Sequence, residues 1–477
     1  MRNVRFAIAG AVAAATALSM VGFSTAAQAQ PHSSAATAIK PVPAGPATAI
    51  SMTKCPSGTK ASLGSSTPAL PNGATGAVFP LANKNSLKLV GAWPPSPTSY
   101  AVTVKCSNGS TLNVKVNVQS APVLNSAVGV GSDTITPLLD QFSGDYNATL
   151  TSGTATHLFS WDAVNPDNGQ TSASIPPSMI TPKQGCNSIN RPNGSGAGIG
   201  ALATTQVVSG TNCVSFARSS RPRGGSDPAF KPGGVAFVNL AGDAVTWSTQ
   251  SVTNAPASLT VAQLNAIYTC SSTATNWSQL GGKSGTIQPF LPQSGSGTLS
   301  VWLTAIGVTT PGPCVSQPAT LEENEGVNAL LQSPNAIFPY SIGDWIAQHF
   351  HSATCSNASC SAFPPCAPST AKNQFSCNLT GTMVVKQIAG VPPTTGTGTS
   401  TVINSAFPSA FDRTLFDVVP FDPNTADHIP GSEAGAPGGV NLEPIFGASG
   451  WVCTSAQAKT DIKNYGFVPI GTCGATS

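Results

Sequence analysis

Apolar residues recur along this chain with two different periods. Between Ala101 and Val118 the period is two, with Val102, Val104 and Cys106 in one run and Leu112, Val114, Val116 and Val118 in the next, across Ser107-Asn108-Gly109-Ser110. Such alternation predicts a hairpin of half-buried strands, and the Asn-Gly pair favours a tight type I′ turn. From about Ala121 the pattern changes. Ser126 to Val130 reads as a buried strand, followed by Ile135, Leu138, Leu139, Phe142 and Tyr146 at helical spacing, with Pro137 tolerated in the first turn. Thr260 is placed to cap a helix bearing Val261, Leu264, Ile267 and Tyr268, and Leu299, Trp302, Leu303 and Ile306 make one face of another that Gly307 ends. A helix from Ala456 to Asn464 and a short strand from Gly466 to Ile470 are expected near the end of the sequence. Strand, turn and amphipathic helix in repetition predict an α/β arrangement.

Three of the predicted helices open in similar Gly/Ser-rich segments: Gly131-Ser132-Asp133-Thr134, Gly194-Ser195-Gly196-Ala197-Gly198 and Ser294-Gly295-Ser296-Gly297-Thr298. A helix starting in such a loop points free backbone N–H groups, small hydroxyls and the positive end of its dipole at whatever lies in front of it. Glycine lets the backbone approach a ligand closely. A single Gly-Ser-Gly would be a flexible turn; three of them, each before an apolar helix, predict a pocket for an oxyanion. A fourth candidate is Ser215 to Arg221, a strand-like run ending in Arg218, Ser219, Ser220 and Arg221. In open α/β sheets, ligands collect outside the carboxyl ends of strands, where these turns fall.

Composition narrows the setting. Met1-Arg2-Asn3-Val4-Arg5, an apolar stretch from Phe6 to about Phe23 and the small-residue pattern Ala27-Gln28-Ala29 read as a secretory signal peptide over residues 1–29. No cysteine follows the expected cut to carry a lipid anchor, and no other stretch is apolar and long enough to span a bilayer, so a secreted, extracellular protein is expected. Residues 30–50, rich in Ala, Pro, Ser and Thr, read as a linker, and 51–120 as a small all-β domain. The twelve cysteines fit an oxidising compartment, with Cys55–Cys106, Cys186–Cys213, Cys270–Cys314 and Cys453–Cys473 as local pairs and two bonds among Cys355, Cys360, Cys366 and Cys377. The tight Cys-x-x-Cys pairs of a zinc site are lacking. With 8% charged residues and a net charge of +3, the chain has no basic tract for nucleic acid. The stretch from Ala389 to Ser405 reads as an insertion loop.

The order of the motifs resembles the phosphate-binding components of bacterial phosphate ABC importers, which have the type II periplasmic-binding-protein fold. Gly129 to Thr134 is similar to the family's first phosphate loop, Asn193 to Ile199 to the second, Phe216 to Ser220 to the strand end that follows, and Gly295-Ser296-Gly297-Thr298 to the loop in the second lobe. The segment from Leu259 to Trp277, and that from Glu323-Asn324-Glu325-Gly326-Val327 to Tyr340, continue the likeness. The resemblance implies a two-lobed domain over 121–477, with lobe one at about 121–240 and 375–477 and lobe two at about 241–374. It implies noncovalent capture of inorganic phosphate or a related oxyanion by Ser132, Asp133, Thr134, Gly194, Ser195, Gly196, Ala197, Arg218, Ser219, Ser220, Arg221, Gly295, Ser296, Gly297 and Thr298. An ABC permease or a cell-wall component is the implied partner.

Two positions depart from the family pattern. Pro292 and Ser294 stand where an arginine and an acidic residue usually precede the Ser-Gly-Thr loop, and Ser220 stands where an aspartate usually accepts the proton of hydrogen phosphate. Asp133 is then the candidate acceptor, or else a helix N-cap, and Arg218 or Arg221 the candidate cation. The alternative is an exported surface or matrix interaction protein that keeps the fold and has lost the ligand. Enzyme readings are weaker: no serine carries the glycines of a nucleophile elbow, Ser51-Met52-Thr53-Lys54 lies outside any predicted helix, and His349 and His351, on one face of a predicted strand, lack a third metal ligand. No catalytic residue, cofactor or metal site is expected.

Overall fold

The structure, a computed structural model, describes residues 49–52, 61–67, 75–81, 84–90, 98–118, 122–151, 156–164, 179–319, 321–351, 380–431 and 437–477. The expected signal peptide, most of the linker, Cys55 and the four cysteines from Cys355 to Cys377 lie outside them. Strands β1 (Ala49–Met52), β4 (Lys84–Val90) and β3 (Thr75–Leu81) form one antiparallel sheet, and β2 (Ala61–Thr67), β5 (Thr98–Cys106) and β6 (Thr111–Val118) another. The β5–β6 hairpin pairs Val104 with Leu112 and Val102 with Val114, in the expected register. Its turn differs from type I′. Gly109 is at φ +87° while Asn108 keeps a negative φ, and Gly109 N donates to Cys106 O and Cys106 N to Ser110 O, the pattern of a type I turn closed by a glycine bulge. Asn108 is held there because its Oδ1 accepts from Ser110 N and Oγ.

Next come β7 (Ala127–Gly131), α1 (Thr136–Thr149) and β8 (Leu158–Ser160), then the short pairs β9 (Met179–Ile180) with β10 (Ile189–Asn190) and, after α2 (Ser195–Ala203), β11 (Val207–Val208) with β12 (Thr211–Asn212). Strands β13 (Phe216–Ser219) and β14 (Val235–Gln250) lead to β15 (Ser258–Leu259) and α3 (Val261–Tyr268), whose Thr260 and Gln263 form a reciprocal capping box. Then follow β16 (Gln288–Pro289), α4 (Gly297–Ala305), β17 (Ala336–Ser341), α5 (Ile342–Ile346), β18 (Met383–Val385) and β19 (Gln387–Ile388). Within the expected insertion loop, β20 (Thr394–Thr395) and β21 (Val402–Ile403) pair as a small hairpin. The chain closes with β22 (Asp412–Pro420), α6 (Glu443–Phe446), α7 (Trp451–Thr454) and α8 (Ala456–Asn464). The strand expected at Gly466 to Ile470 is reduced to one bridge between Gly242 and Val468, since the segment meets only the edge offered by β14.

A mixed sheet in the order β16-β17-β14-β22-β13-β7-β8, with β18 also on β14, organises this part of the chain. Side-chain alternation sorts its residues onto two faces. Ala127, Phe216, Ala236 and Val238 join Leu138, Phe142, Phe446 and Ile462 of α1, α6 and α8, whereas Val128, Val130, Ala217 and Phe237 join Ile199 and Leu202 of α2. A separate core holds Trp247, Leu264, Tyr268, Trp277, Trp302 and Tyr340, all from residues 244–411. The 16-residue β14 runs from one set to the other: Val235 to Ala244 pair with β22, and Val245 to Ser248 with β17. Disulfides join Cys186–Cys213, Cys270–Cys314 and Cys453–Cys473, three of the expected pairs, and Cys106 is also disulfide-bonded. Among the described residues no helix is long and apolar enough to cross a membrane.

Candidate functional site

The Gly/Ser-rich loops meet. Strands β7 and β13 are parallel neighbours, with Arg218 opposite Gly131, so the turns leaving their carboxyl ends lie side by side, and Ser132 N donates to Arg218 O at 3.1 Å. A bridge from Gly131 to Asn193 brings the start of α2 to the same edge. Gly131, at φ +120°, leaves no room for a side chain, because a Cβ would lie 2.7 Å from Arg218 O. The first turn of α4 then reaches these loops. Gly196 N donates to Gly295 O at 3.2 Å, and Gln293 Nε2 to Asn193 Oδ1 at 3.2 Å. Glycine is needed at position 297: a Cβ there would lie 2.2 Å from Ser220 Oγ and 2.5 Å from Ser195 Oγ.

On this side of α4 the contacts are among hydroxyls and one cation. Ser220 N donates to Ser195 Oγ at 3.0 Å, and the two hydroxyl oxygens are 3.4 Å apart. Arg413, from β22, donates through Nη1 to Thr298 Oγ1 at 2.9 Å and to Ser220 O at 3.1 Å. Its Nε donates to Asp243 Oδ2 at 2.8 Å, within a buried ion pair whose Nη2 lies 2.7 Å from the same oxygen. Asp243 is held from behind by Ser341 Oγ and by Gly343 N at the start of α5.

On the other side, the donors meet a carboxylate of the chain itself. Thr134 N (3.3 Å) and Thr134 Oγ1 (3.1 Å) donate to Glu323 Oε1, while Thr298 N (3.3 Å) and Ser296 Oγ donate to Oε2. Ser296 also caps α4 by accepting from Leu299 N at 3.0 Å. Glu323 is fully buried and positioned through its backbone, whose N–H donates to Gln293 Oε1 at 3.2 Å. Its neighbours are buried too. Glu322 takes a 2.7 Å hydrogen bond from Asn193 Nδ2, and burial together with the Glu325 carboxylate pushes its pKa well above the ordinary range; burial pushes Glu325 up to about 7.

Placement of the remaining expected residues is uneven. Ser132 is fully buried, and its Oγ has no hydrogen-bond partner among the described residues. Asp133 is buried on the turn before α1, close enough to influence the titration of Arg218 and Glu322, but the N-cap position belongs to Ile135. Of the two candidate arginines, Arg218 is turned into the sheet, while the Arg221 guanidinium lies beside Gly196 at the start of α2. Arg218 donates to Ser132 O, Gly131 O, Trp161 O and Ser160 Oγ, tying β7, β8 and β13 together, and burial lowers its pKa. Arg221 forms a two-pronged pair with Asp227, and Ser219 Oγ donates to Arg221 O. His349 lies in a π-helical turn, Ala347–His351, and stacks on Trp345 at 4.9 Å instead of sharing a strand face with His351, because α5 continues past its last regular turn. Among the described residues no three His, Cys, Asp or Glu side chains are placed to hold a metal ion.

Glu323, Arg413 and Asp243 were not among the expected site residues. Three glutamates within four residues, Glu322 to Glu325, in a chain with only 18 acidic residues, were the available signal for the first. Arg413 lies at the start of the strand-like run Thr414-Leu415-Phe416-Asp417-Val418-Val419, where a cation on a strand asks for a buried partner.

A family model described as a PBP superfamily domain matches residues 118–374, more than half of the chain. Among solved structures, an ABC-type phosphate transport receptor from Vibrio cholerae aligns over 72% of this chain and 99% of its own, at 16% identity and a TM-score of 0.41. A phosphate binding protein from Stenotrophomonas maltophilia aligns over 73% and 91%, at 14% identity and a TM-score of 0.36. No curated protein matches. The chain belongs to the PBP superfamily, and its fold is mixed α/β.

Proposed function

We propose that this protein is a noncovalent receptor for inorganic phosphate or a related oxyanion, acting outside the cell. The observation that carries the reading is the convergence of two backbone N–H groups and two hydroxyls, from Thr134, Ser296 and Thr298, on a single pair of carboxylate oxygens. Four fixed donors around two acceptor oxygens are what an oxyanion needs to be held without metal. Ser132, Ser195, Ser220 and the Arg413 guanidinium extend the polar surface. In this reading the core built from residues 244–411 is one lobe and the remaining sheet the other, with β14 and β22 as the strands between them, and an ABC permease is the partner that would take the ligand on. The disulfides agree with an oxidising compartment.

The test is isothermal titration of purified, disulfide-intact protein, freed of carried-over ligand by partial unfolding and dialysis, with phosphate and then sulfate. Saturable heat with phosphate is the expected result. Absence of heat with both anions, from protein shown to be folded, overturns the reading. A second reading, a binding fold kept for interaction after ligand capture was lost, is favoured by one observation: the donors are already engaged by Glu323.

A further inference from the structure

The oxyanion pocket holds an anion supplied by the chain. Glu323 lies on a turn in the long loop between α4 and β17, yet its side chain receives Thr134 from the turn after β7 and Ser296 and Thr298 from the start of α4. The two carboxylate oxygens divide these partners, Oε1 taking Thr134 and Oε2 taking α4. The carboxylate thereby bridges segments that are 164 residues apart at Thr134 and Thr298 and whose hydroxyls come within 3.4 Å of each other. Gln293 holds the backbone of Glu323 in place and also donates to Asn193, which in turn donates to Glu322. The arrangement is a fixed tripod, built around a fully buried glutamate.

We propose that Glu323 is an internal oxyanion: it holds the Thr134 and α4 donors in the absence of ligand, and an external oxyanion engages them only after the Glu323 side chain has left. This inference rests on the receptor reading for the identity of the external ligand, and on the geometry alone for the role of the carboxylate. Ligand binding and withdrawal of the glutamate are then one equilibrium, so apparent affinity is the intrinsic affinity reduced by the fraction of molecules in which the donors are exposed.

The experiment compares the full chain with its Glu323→Ala and Glu323→Gln variants by titration with inorganic phosphate, and by thermal unfolding with and without sodium formate, a small carboxylate. Glu323→Ala is expected to bind phosphate about tenfold more tightly than the unaltered protein, or better, as the competing side chain is removed. It should also melt at a lower temperature, and formate should raise its midpoint while leaving that of the unaltered protein in place. Equal phosphate affinity in the two proteins overturns the inference and leaves the receptor reading standing. Rescue by formate with no phosphate binding in any of the three proteins supports the role of the carboxylate and overturns the phosphate reading. A folded Glu323→Ala that responds to neither anion overturns both. Should Glu323→Ala fail to fold, Glu323→Gln, which keeps the shape and loses the charge, carries the same comparison, with tighter phosphate binding supporting the inference and unchanged affinity overturning it.

Discussion

On one side of the first turn of α4, Thr134, Ser296 and Thr298 surround a carboxylate; on the other, Ser195, Ser220 and Gly297 pack against one another beside an arginine paired with Asp243. Both sides draw on the same stock of small hydroxyls and backbone N–H groups at helix starts. They differ in where the compensating charge comes from. The first side contains a carboxylate whose hydrogen bonds come from backbone N–H groups and hydroxyls, with no cation among those partners. The second contains a full ion pair, with Arg413 donating to Asp243, to the Thr298 hydroxyl and to Ser220 O. Thr298 belongs to both, its N–H on Glu323 and its hydroxyl accepting from Arg413. A helix start can thus face a carboxylate without a cation on one flank and a full ion pair on the other, and replacing either flank tests which of the two stabilises the site more.

The largest effect is expected from Arg413→Met. It leaves the Asp243 carboxylate buried without its cation, which costs about 3–5 kcal/mol when a buried pair is broken from one side. Chemical denaturation reads this as a lower midpoint at unchanged slope, and a loss below about 1 kcal/mol, the level of a surface pair, would show that the helix α5 start alone suffices for Asp243. Next comes Gly297→Ala. The added methyl meets Ser220 Oγ and Ser195 Oγ far inside contact distance, and overpacking of this kind costs about 1–3 kcal/mol. Combining it with Ser220→Ala should recover part of the loss in a double-mutant cycle, whereas strict additivity would place the clash elsewhere.

The smallest effect concerns the turn that carries Glu323. Burial holds the Glu325 pKa at about 7, above that of a free glutamate. The folded state therefore binds more protons than the unfolded state between about pH 4.5 and 7. Stability from this group is complete below that window and declines as pH rises through it. Glu325→Gln should flatten this part of the profile of unfolding free energy against pH. An unchanged slope would assign the dependence to other buried acids, Asp417 being the next candidate, with a pKa pushed up to about 8 by burial.

Local features of the sequence were legible because their causes are local. The periodicity of Leu138, Leu139, Phe142 and Tyr146 and the Thr260 cap each act within a few residues, and each falls at the expected place. The position of the loops at one sheet edge followed from the α/β pattern. The charges did not follow. Arg218 sits in the expected motif, but its guanidinium is directed into the sheet by four oxygens that only the β7, β8 and β13 assembly brings together. Arg413 is supplied by a strand 115 residues beyond Thr298, and Glu323 reaches Thr134 across 189 residues. Pairings at that distance leave no periodic trace in a single sequence. The type I′ expectation at Asn108-Gly109 failed for a smaller reason, the capping of Ser110 by the Asn108 side chain.

Strand β14 changes partners within one residue step, from β22 at Ala244 to β17 at Val245, and Asp243 stands immediately before that step. With 16 residues at about 3.3 Å each, the strand is roughly 50 Å of continuous backbone. Mechanically it is a shaft shared by two bearings, and any rotation of one core against the other must twist it at this junction. The Asp243–Arg413 pair is fastened across the same junction, with Arg413 opposite Asp243 on β22. Bending there would shear an ion pair as well as turn two peptide planes, so the stiffness of the molecule about this axis is set by electrostatics and backbone torsion together.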